Sequence, residues 1–414
     1  MTAPPLHHPR IRMRGRDPGE SHRAATPLEL LFDLTFVVAF GMAADELAHY
    51  LVEDHVKTGL LGFAFATFAI TWAWVNFSWF ASAFDTDDWI FRLTTMVQMV
   101  GVIIVALGLP DLFTSIDEGA TVDNRVMVAG YVIMRVAMVF QWARAARQDP
   151  EHRSACMTYV TAISVAQVGW VLALIAESSV AVTFVIAGLL VLVEFAGPWI
   201  AETRRGGTPW HAHHIVERYG LLVIIALGEG VVGTIASLSA VVGPEGPGWS
   251  VDAAVLALAG TALTFGMWWI YFLVPSGRLL HARRERSFGW GYGHIPVIGA
   301  VVATGAGLHV AAYFLEEESV LSASATVLCV VVPVATYVLG IFVLYAYLTR
   351  SLDPFHLWLL AGTAALLVAP LVLAAAGVAM AWCLLVLALS PWVTVVGYEL
   401  HGHRHSAEVL AGLG

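Results

Sequence analysis

Twelve apolar segments divide this chain, and each is long enough to cross a hydrocarbon core of about 30 Å at about 1.5 Å per residue. They run over approximately 28–50, 58–82, 92–113, 124–146, 154–176, 179–201, 214–240, 250–274, 293–315, 320–348, 356–377 and 379–400. The chain is 58% hydrophobic and only 13% charged, with a mean hydropathy of +0.76. So few charges would not cover the surface of a water-soluble fold of this size. The expected class is an all-α polytopic membrane protein of about twelve transmembrane helices. The net charge of −10 is concentrated in particular loops, and no basic platform for nucleic acid is present. Cys156, Cys329 and Cys383 follow neither a disulfide nor a metal spacing.

The loops orient the segments. The leading residues carry Arg10, Arg12, Arg14, Arg16 and Arg23; alternate loops carry Arg144, Arg147 and Arg153, then Arg204 and Arg205, then Arg278, Arg283, Arg284 and Arg286, then Arg350, and Arg404 follows the last segment. The intervening loops hold Lys57 and Arg125 and are otherwise acidic, with Glu53, Asp54, Asp111, Asp117, Glu118, Asp123, Glu245 and Glu316 to Glu318. This is the positive-inside bias, and it predicts both termini on the cytoplasmic side. Residues 1–26 read as a disordered basic tail and 403–414 as a short C-terminal tail. The lipid bilayer is then the first partner, together with a small solute or ion. No cofactor is implied, and the sequence leaves the oligomeric state open.

The chain also resembles itself. "YVIMRVAMVFQWARAARQDPEH" and "YVLGIFVLYAYLTRSLDPFH" both end on Asp-Pro-x-His, and Pro-Trp recurs in "EFAGPWIAETRR" and "LALSPWVTVV". "TWAWVNF" parallels "MWWIYF", and the alignment sets Glu29 opposite Glu217. Four correspondences in order, offset by roughly 190–206 residues, predict two six-helix halves, 27–205 and 206–402. Six is even, so the halves would be parallel repeats.

Ionisable residues inside such segments cost about 2.5–3.5 kcal/mol each on insertion scales and need a reason. Glu29 and Asp33 share one face of the first segment, four residues apart. The seventh carries His214, Glu217, Arg218 and, flanked by Gly228 and Gly230, Glu229; the fourth carries Arg135 and the sixth Glu194. Glu29 and Glu217 lie near segment ends, where a side chain reaches water. Asp33 and Glu229 lie deeper. Paired with Arg135, either would make a neutral buried ion pair, serving as a helix clamp or as part of a proton or ion path. "WVNFSWFASAFDTDDWIFR" is the one acidic inner loop. There Asp85, Asp87, Asp88 and Arg92 offer loop ion pairs, a gate to an inner arginine, or a cap on the following helix. The histidine runs "HAHH" and "HGHRH" lack the partners of a metal motif and read as interfacial clusters. No nucleotide-binding loop or activated nucleophile stands out.

"ELLFDLTFVVAF", the aspartate loop and "HHIVERYGLLVIIALGEGVV" together resemble the bacterial low temperature requirement protein A (LtrA) family, over about residues 27–400. The resemblance implies a polytopic inner-membrane protein. It carries over Glu29, Phe32 and Asp33, then Phe84, Asp85, Asp87 and Asp88, then Glu217, Arg218, Gly228 and Glu229. Gly230 stands where many relatives have a small hydroxyl residue. The cold-growth label names a phenotype and no substrate. The residues favour a secondary transporter or permease, with burial making Asp33 and Glu229 exchangeable sites for protons. An ion channel and a membrane-embedded lipid-active enzyme or regulatory protein remain as alternatives; the missing nucleophile argues against the enzyme.

Overall fold

The computed structural model describes residues 11–20, 23–243, 246, 248–351 and 354–402. Arg10, Glu245, Asp353, Arg404 and the tail 403–414 lie outside the described residues. Twelve helical spans are long and apolar enough to cross a membrane: α1 Pro27–Val52, α2 Val56–Phe84, α3 Trp89–Glu118, α4 Arg125–Gln148, α5 Arg153–Ile175, α6 Val180–Arg204, α7 Ala212–Val242, α8 Val251–Ala282, α9 Arg284–Leu315, α10 Ala323–Thr349, α11 Pro354–Ala375 and α12 Met380–Gly402. No strand occurs among the described residues; one isolated bridge joins Thr121 and Ser179. The short junction between the last two spans holds: α11 ends at Ala375, and Gly377 turns the chain at φ 81°. The ninth span starts earlier than its hydropathy indicates, because Ser287–Leu315 forms one helix through Gly289, Gly291 and Gly293.

Local chemistry sets the ends. Thr26 and Glu29 form a reciprocal capping box at α1: Thr26 N donates to Glu29 Oε2 at 2.8 Å, and Glu29 N to Thr26 Oγ1 at 3.3 Å. Asp88, Ser250 and Ser322 cap α3, α8 and α10 by accepting from Phe91 N, Ala253 N and Ala325 N. Acids occupy tight junctions in the left-handed region, with Asp54 at φ 63°, Asp87 at 47° and Glu317 at 62°.

The chain forms two compact units. The first comprises residues up to Ala39 and Trp72–Arg218; the second comprises Phe40–Thr71 and the residues from Tyr219 on. These boundaries differ from those of the two sequence halves. Within the first unit α3 packs on α4, α4 on α5 and α5 on α6. Gly101 and Gly130 let α3 and α4 approach so closely that a Cβ at Gly101 would lie 2.7 Å from Gly130 O. The core is aromatic: Phe32 lies 3.9 Å from Phe77, and Trp142 stacks on Tyr159 at 4.0 Å. In the second unit α7 packs on α8 and α9, α8 on α12, α9 on α10, α10 on α11 and α11 on α12. There His294 is a satisfied core histidine, bonded to Trp290 O at 2.7 Å and Tyr271 Oη at 3.1 Å. Apolar residues such as Leu172, Ile175, Leu189 and Leu192 on α5 and α6 are exposed, as suits a surface meeting hydrocarbon.

Residues 11–20 and 23–26 depart from the expectation of a disordered tail. Ile11 N donates to Asp88 Oδ2 (3.0 Å), Met13 N to Gln148 Oε1 (2.6 Å), Gly15 N to Asp149 Oδ2 (2.6 Å) and Arg16 N to Ala83 O (3.0 Å). Arg23 donates to Ser82 O and to Ala81 O at the end of α2. Backbone N–H groups supply most of the strap's hydrogen bonds, and its Met13 is buried.

Candidate functional site

The parts of three helices that lie in the first unit each contribute a pair of residues one turn apart, and the six side chains meet. α1 brings Glu29 and Asp33, α2 brings Trp74 and Ser78, and α7 brings His214 and Arg218; all six are fully buried. The i, i+4 spacing places both members of each pair on the same face. Asp33 Oδ1 accepts from Arg218 Nη2 at 2.6 Å and from Trp74 Nε1 at 2.6 Å. Arg218 Nη1 lies 3.4 Å from Glu29 Oε1, its Nη2 lies 3.3 Å from Ser78 Oγ, and its guanidinium sits 5.6 Å from the Trp74 ring centroid. His214 Nε2 is 3.3 Å from the Glu29 carboxylate.

The charges of this cluster are unequal. Two carboxylates face one arginine, whose charge is permanent, and one histidine, whose charge is optional. With a neutral imidazole and both acids ionised the cluster carries one negative charge; one added proton makes it neutral. A net charge in a water-poor site is costly, so proton occupancy and the local geometry are coupled here. Asp33 Oδ2, His214 Nδ1 and Arg218 Nε are buried and form no hydrogen bond among the described residues. These atoms leave capacity for a proton, a water or a polar solute.

The other expected site residues fall elsewhere. Arg135 does not meet Asp33 or Glu229: its Nη2 lies 2.9 Å from Glu194 on α6, which also accepts from Trp72 Nε1 at 2.8 Å. Neighbouring Tyr131 lies against the same guanidinium, 4.9 Å from ring centroid to Cζ. One acid and one arginine make this a charge-balanced clamp between α4 and α6. Glu217 is exposed, accepts from Ala25 N at 3.3 Å, and stays out of the cluster. Glu229 belongs to the second unit, where it is buried with no ion pair among the described residues.

The aspartate loop is rearranged relative to its spacing. Asp88 does not pair with Arg92. As the N-cap of α3 it stands outside the helix, so helical i, i+4 geometry does not apply to it. It accepts instead from Phe91 N at 2.9 Å and from Arg144 Nη1 at 3.0 Å, while Arg144 also holds Ile11 O at 2.9 Å. The capping role and the ion pair to an inner arginine thus coexist in one residue. Arg92 is taken by Asp87, in a two-pronged pair at 2.7 and 2.8 Å. Asp85 is buried; burial and then the nearby Glu29 charge push its carboxyl up to about 6, against the Asp87 backbone N–H and Arg23.

Asp149, Glu151 and His152 form a cluster of possible ligand atoms within 4.8 Å of one another. The Asp149 carboxylate already accepts from Gly15 N at 2.6 Å and Glu151 N at 3.2 Å and lies 2.9 Å from His152 Nδ1, so it works as a loop clamp. His211 of "HAHH" is likewise engaged, its Nε2 bonding Glu20 O at 2.9 Å and its Nδ1 accepting from His214 N at 3.2 Å. In the second unit a groove of about 600 Å³ opens between α7 and α8, lined by apolar residues with the hydroxyls of Thr234, Thr261 and Thr264.

Sequence reading missed Trp74, which looks like an ordinary member of an aromatic segment, and saw in Ser78 only a polar residue among aromatics. It weighed His214 with Glu217, three residues on, although its spacing four residues before Arg218 was the signal that mattered. It named Glu194 without linking it to Arg135.

Residues 24–391 match the family described as Bacterial low temperature requirement A protein (LtrA). The chain is similar to the uncharacterized protein RA0937 of Rhizobium meliloti (strain 1021), at 26% identity over 295 residues, covering 67% of each chain. No solved structure matches.

Proposed function

The chain belongs to the bacterial low temperature requirement A (LtrA) family, and on that premise we propose that it is a proton-coupled secondary transporter or permease of the bacterial inner membrane. One observation carries the reading: Glu29, Asp33, His214 and Arg218 are fully buried together, two acids against a single permanent positive charge. A cluster built only to clamp helices needs no such surplus, as the balanced Arg135–Glu194 pair illustrates. A proton that neutralises the surplus changes what Arg218 is attracted to, and this is the local event a coupled carrier requires. The positive-inside bias supports cytoplasmic termini, which places the cluster toward the cytoplasmic side of α1 and α7. The two-repeat reading is supported by equivalent packing, α3–α4 with α9–α10 and α5–α6 with α11–α12. Trp72 and Glu194 also join α2 to α6, as α8 joins α12.

The test is the purified protein in liposomes loaded with a pH-sensitive dye, challenged with candidate solutes. A solute that moves protons in the wild type, with the flux abolished in Asp33→Asn and retained in Asp87→Asn, supports the proposal. A wild type that moves no protons with any solute class, or an Asp33→Asn variant with unchanged flux, overturns it. The apolar groove between α7 and α8 favours a second reading, a lipid-handling or regulatory protein. Co-purified lipid displaced by Thr264→Trp is its signature.

A further inference from the structure

A second titratable cluster lies wholly within the second unit, and the transport reading does not yet use it. Glu229 stands on α7, beside the irregular turn at Leu227 where Gly230 N bonds Leu227 O at 3.0 Å. Only 6% of it is exposed. Two glycines cradle it. A Cβ at Gly41 of α1 would come within 3.1 Å of Glu229 Oε1, and one at Gly305 of α9 within 2.7 Å of Glu229 Cβ. One helical turn beyond each glycine stands a titratable residue, Asp45 on α1 and His309 on α9. These two pair, His309 Nδ1 to Asp45 Oδ1, at 3.3 Å.

The imidazole bridges two environments. Its Nδ1 faces Asp45, whose side chain is 66% exposed, whereas the His309 side chain is 15% exposed. Its Nε2 is buried with no hydrogen-bond partner among the described residues. The adjacent ring carbon packs over α7, since a Cβ at Gly233 would lie 3.0 Å from His309 Cδ2. Gly233 is one turn along α7 from Glu229. Exposure therefore rises stepwise from Glu229 to His309 to Asp45. The other titratable neighbours are Glu46 and His49 on α1, beside Asp45, and Tyr313 on α9. α8 presents a hydroxyl, Thr264, against Gly230.

We propose that Glu229, His309 and Asp45 form a proton-exchange site, in which the buried Glu229 carboxyl trades its proton with water at the C-terminal end of α7 through the His309 ring. The ligand is the proton. In the release direction the Glu229 O–H bond breaks and its proton reaches His309 Nε2 across one intervening water, the two groups not being in hydrogen-bond contact. The imidazolium gives its Nδ1 proton to the Asp45 carboxylate, and Asp45 passes it to water. One proton leaves, Glu229 becomes a carboxylate and the ring is left protonated at Nε2; uptake runs the same steps in reverse, Asp45 returning a proton to Nδ1 and Nε2 giving its own to Glu229, which restores the starting tautomer. That the water reached is outside the cell rests on the orientation proposed above. The exchange itself does not rest on transport.

The experiment is infrared difference spectroscopy of the full chain in lipid as the bathing pH is stepped, following the carbonyl stretch of a protonated carboxyl group. A pH-dependent band that is absent in Glu229→Gln is expected. His309→Gln should slow its response to a pH jump by about a hundredfold, the lower end of what a positioned acid–base group contributes. Asp45→Asn, on an exposed side chain that does not threaten folding, should slow it too. A wild type without such a band, a band unchanged in Glu229→Gln, or responses in His309→Gln and Asp45→Asn as fast as in the wild type would overturn the proposal. The spectrum reads protonation whether or not any solute moves, so its failure is distinguishable from failure of the transporter reading.

Discussion

Replacing Arg218 with methionine removes the one permanent positive charge from the Glu29–Asp33–His214 cluster while keeping an unbranched side chain in its place. Arg218 holds Asp33 at 2.6 Å and Glu29 at 3.4 Å, with all three side chains out of contact with solvent. Removing one partner of such a buried network leaves an uncompensated charge and costs about 3–5 kcal/mol, which is roughly two to four powers of ten in the folded-to-unfolded ratio. The second substitution is the informative one. Asp33→Asn placed on the Arg218→Met background removes the orphaned charge and keeps the amide within reach of Trp74 Nε1. The double variant should regain more than half of the lost stability, because neutral replacements of buried ion networks are often tolerated. The assay is equilibrium unfolding in mixed micelles with a denaturing detergent, followed by tryptophan fluorescence, on the wild type, both single variants and the double. A loss below about 1 kcal/mol for Arg218→Met, or a double variant whose loss is the sum of the two singles, would refute the claim that these residues form one coupled charge network.

Three further outcomes follow from other parts of the fold. Asp85 binds its proton more tightly in the folded chain, at about 6 against an ordinary 3.8. The folded state therefore holds more protons between these values, so stability falls as pH rises from about 4 to 6 and then levels, by about 3 kcal/mol in all. Asp85→Asn should flatten that stretch of the unfolding profile, whereas Asp88 and Asp149, held below the usual range despite burial by Arg144 and His152 respectively, act only at lower pH. Asp88→Ala removes the α3 cap, the Arg144 pair and the Ile11 anchor together; limited trypsin digestion at Arg12, Arg14 and Arg16 should become several-fold faster. Gly101→Leu should cost about 1–3 kcal/mol by overpacking, since even a Cβ there would lie 2.7 Å from Gly130 O and closer still to Met134 Cγ; Gly188→Leu, with nothing within 4 Å, should leave the unfolding midpoint unchanged.

The twelve spans were legible in the sequence because a bilayer tolerates only long, self-bonded helices, so length and hydropathy alone identify them. The shared face of Glu29 and Asp33 was readable in the same way, as a local pattern, whereas the capping box of Thr26 and Glu29 emerged only from the structure. Partner choice was not. Asp88 and Arg92 have the spacing of an ion pair, yet Asp88 lies just outside α3 and turns to Arg144, 56 residues away. Arg135 and Asp33 are both buried charges of opposite sign, yet Glu194 takes the arginine because α5 and α6 return the chain to α4. The basic N-terminal stretch reads as a free tail until Asp88, Gln148 and Asp149 bind the backbone of Ile11, Met13 and Gly15 within it.

Sequence by itself determined that this chain crosses a membrane many times and which residues are too polar for their surroundings. Only the tertiary structure decided which of them meet. Helix formation depends on neighbours three and four residues apart, whereas charge balance in a low-dielectric interior depends on residues brought together from distant helices. Glu29 and Asp33 acquire their surplus charge only when α7 delivers a single arginine and a histidine to the same place.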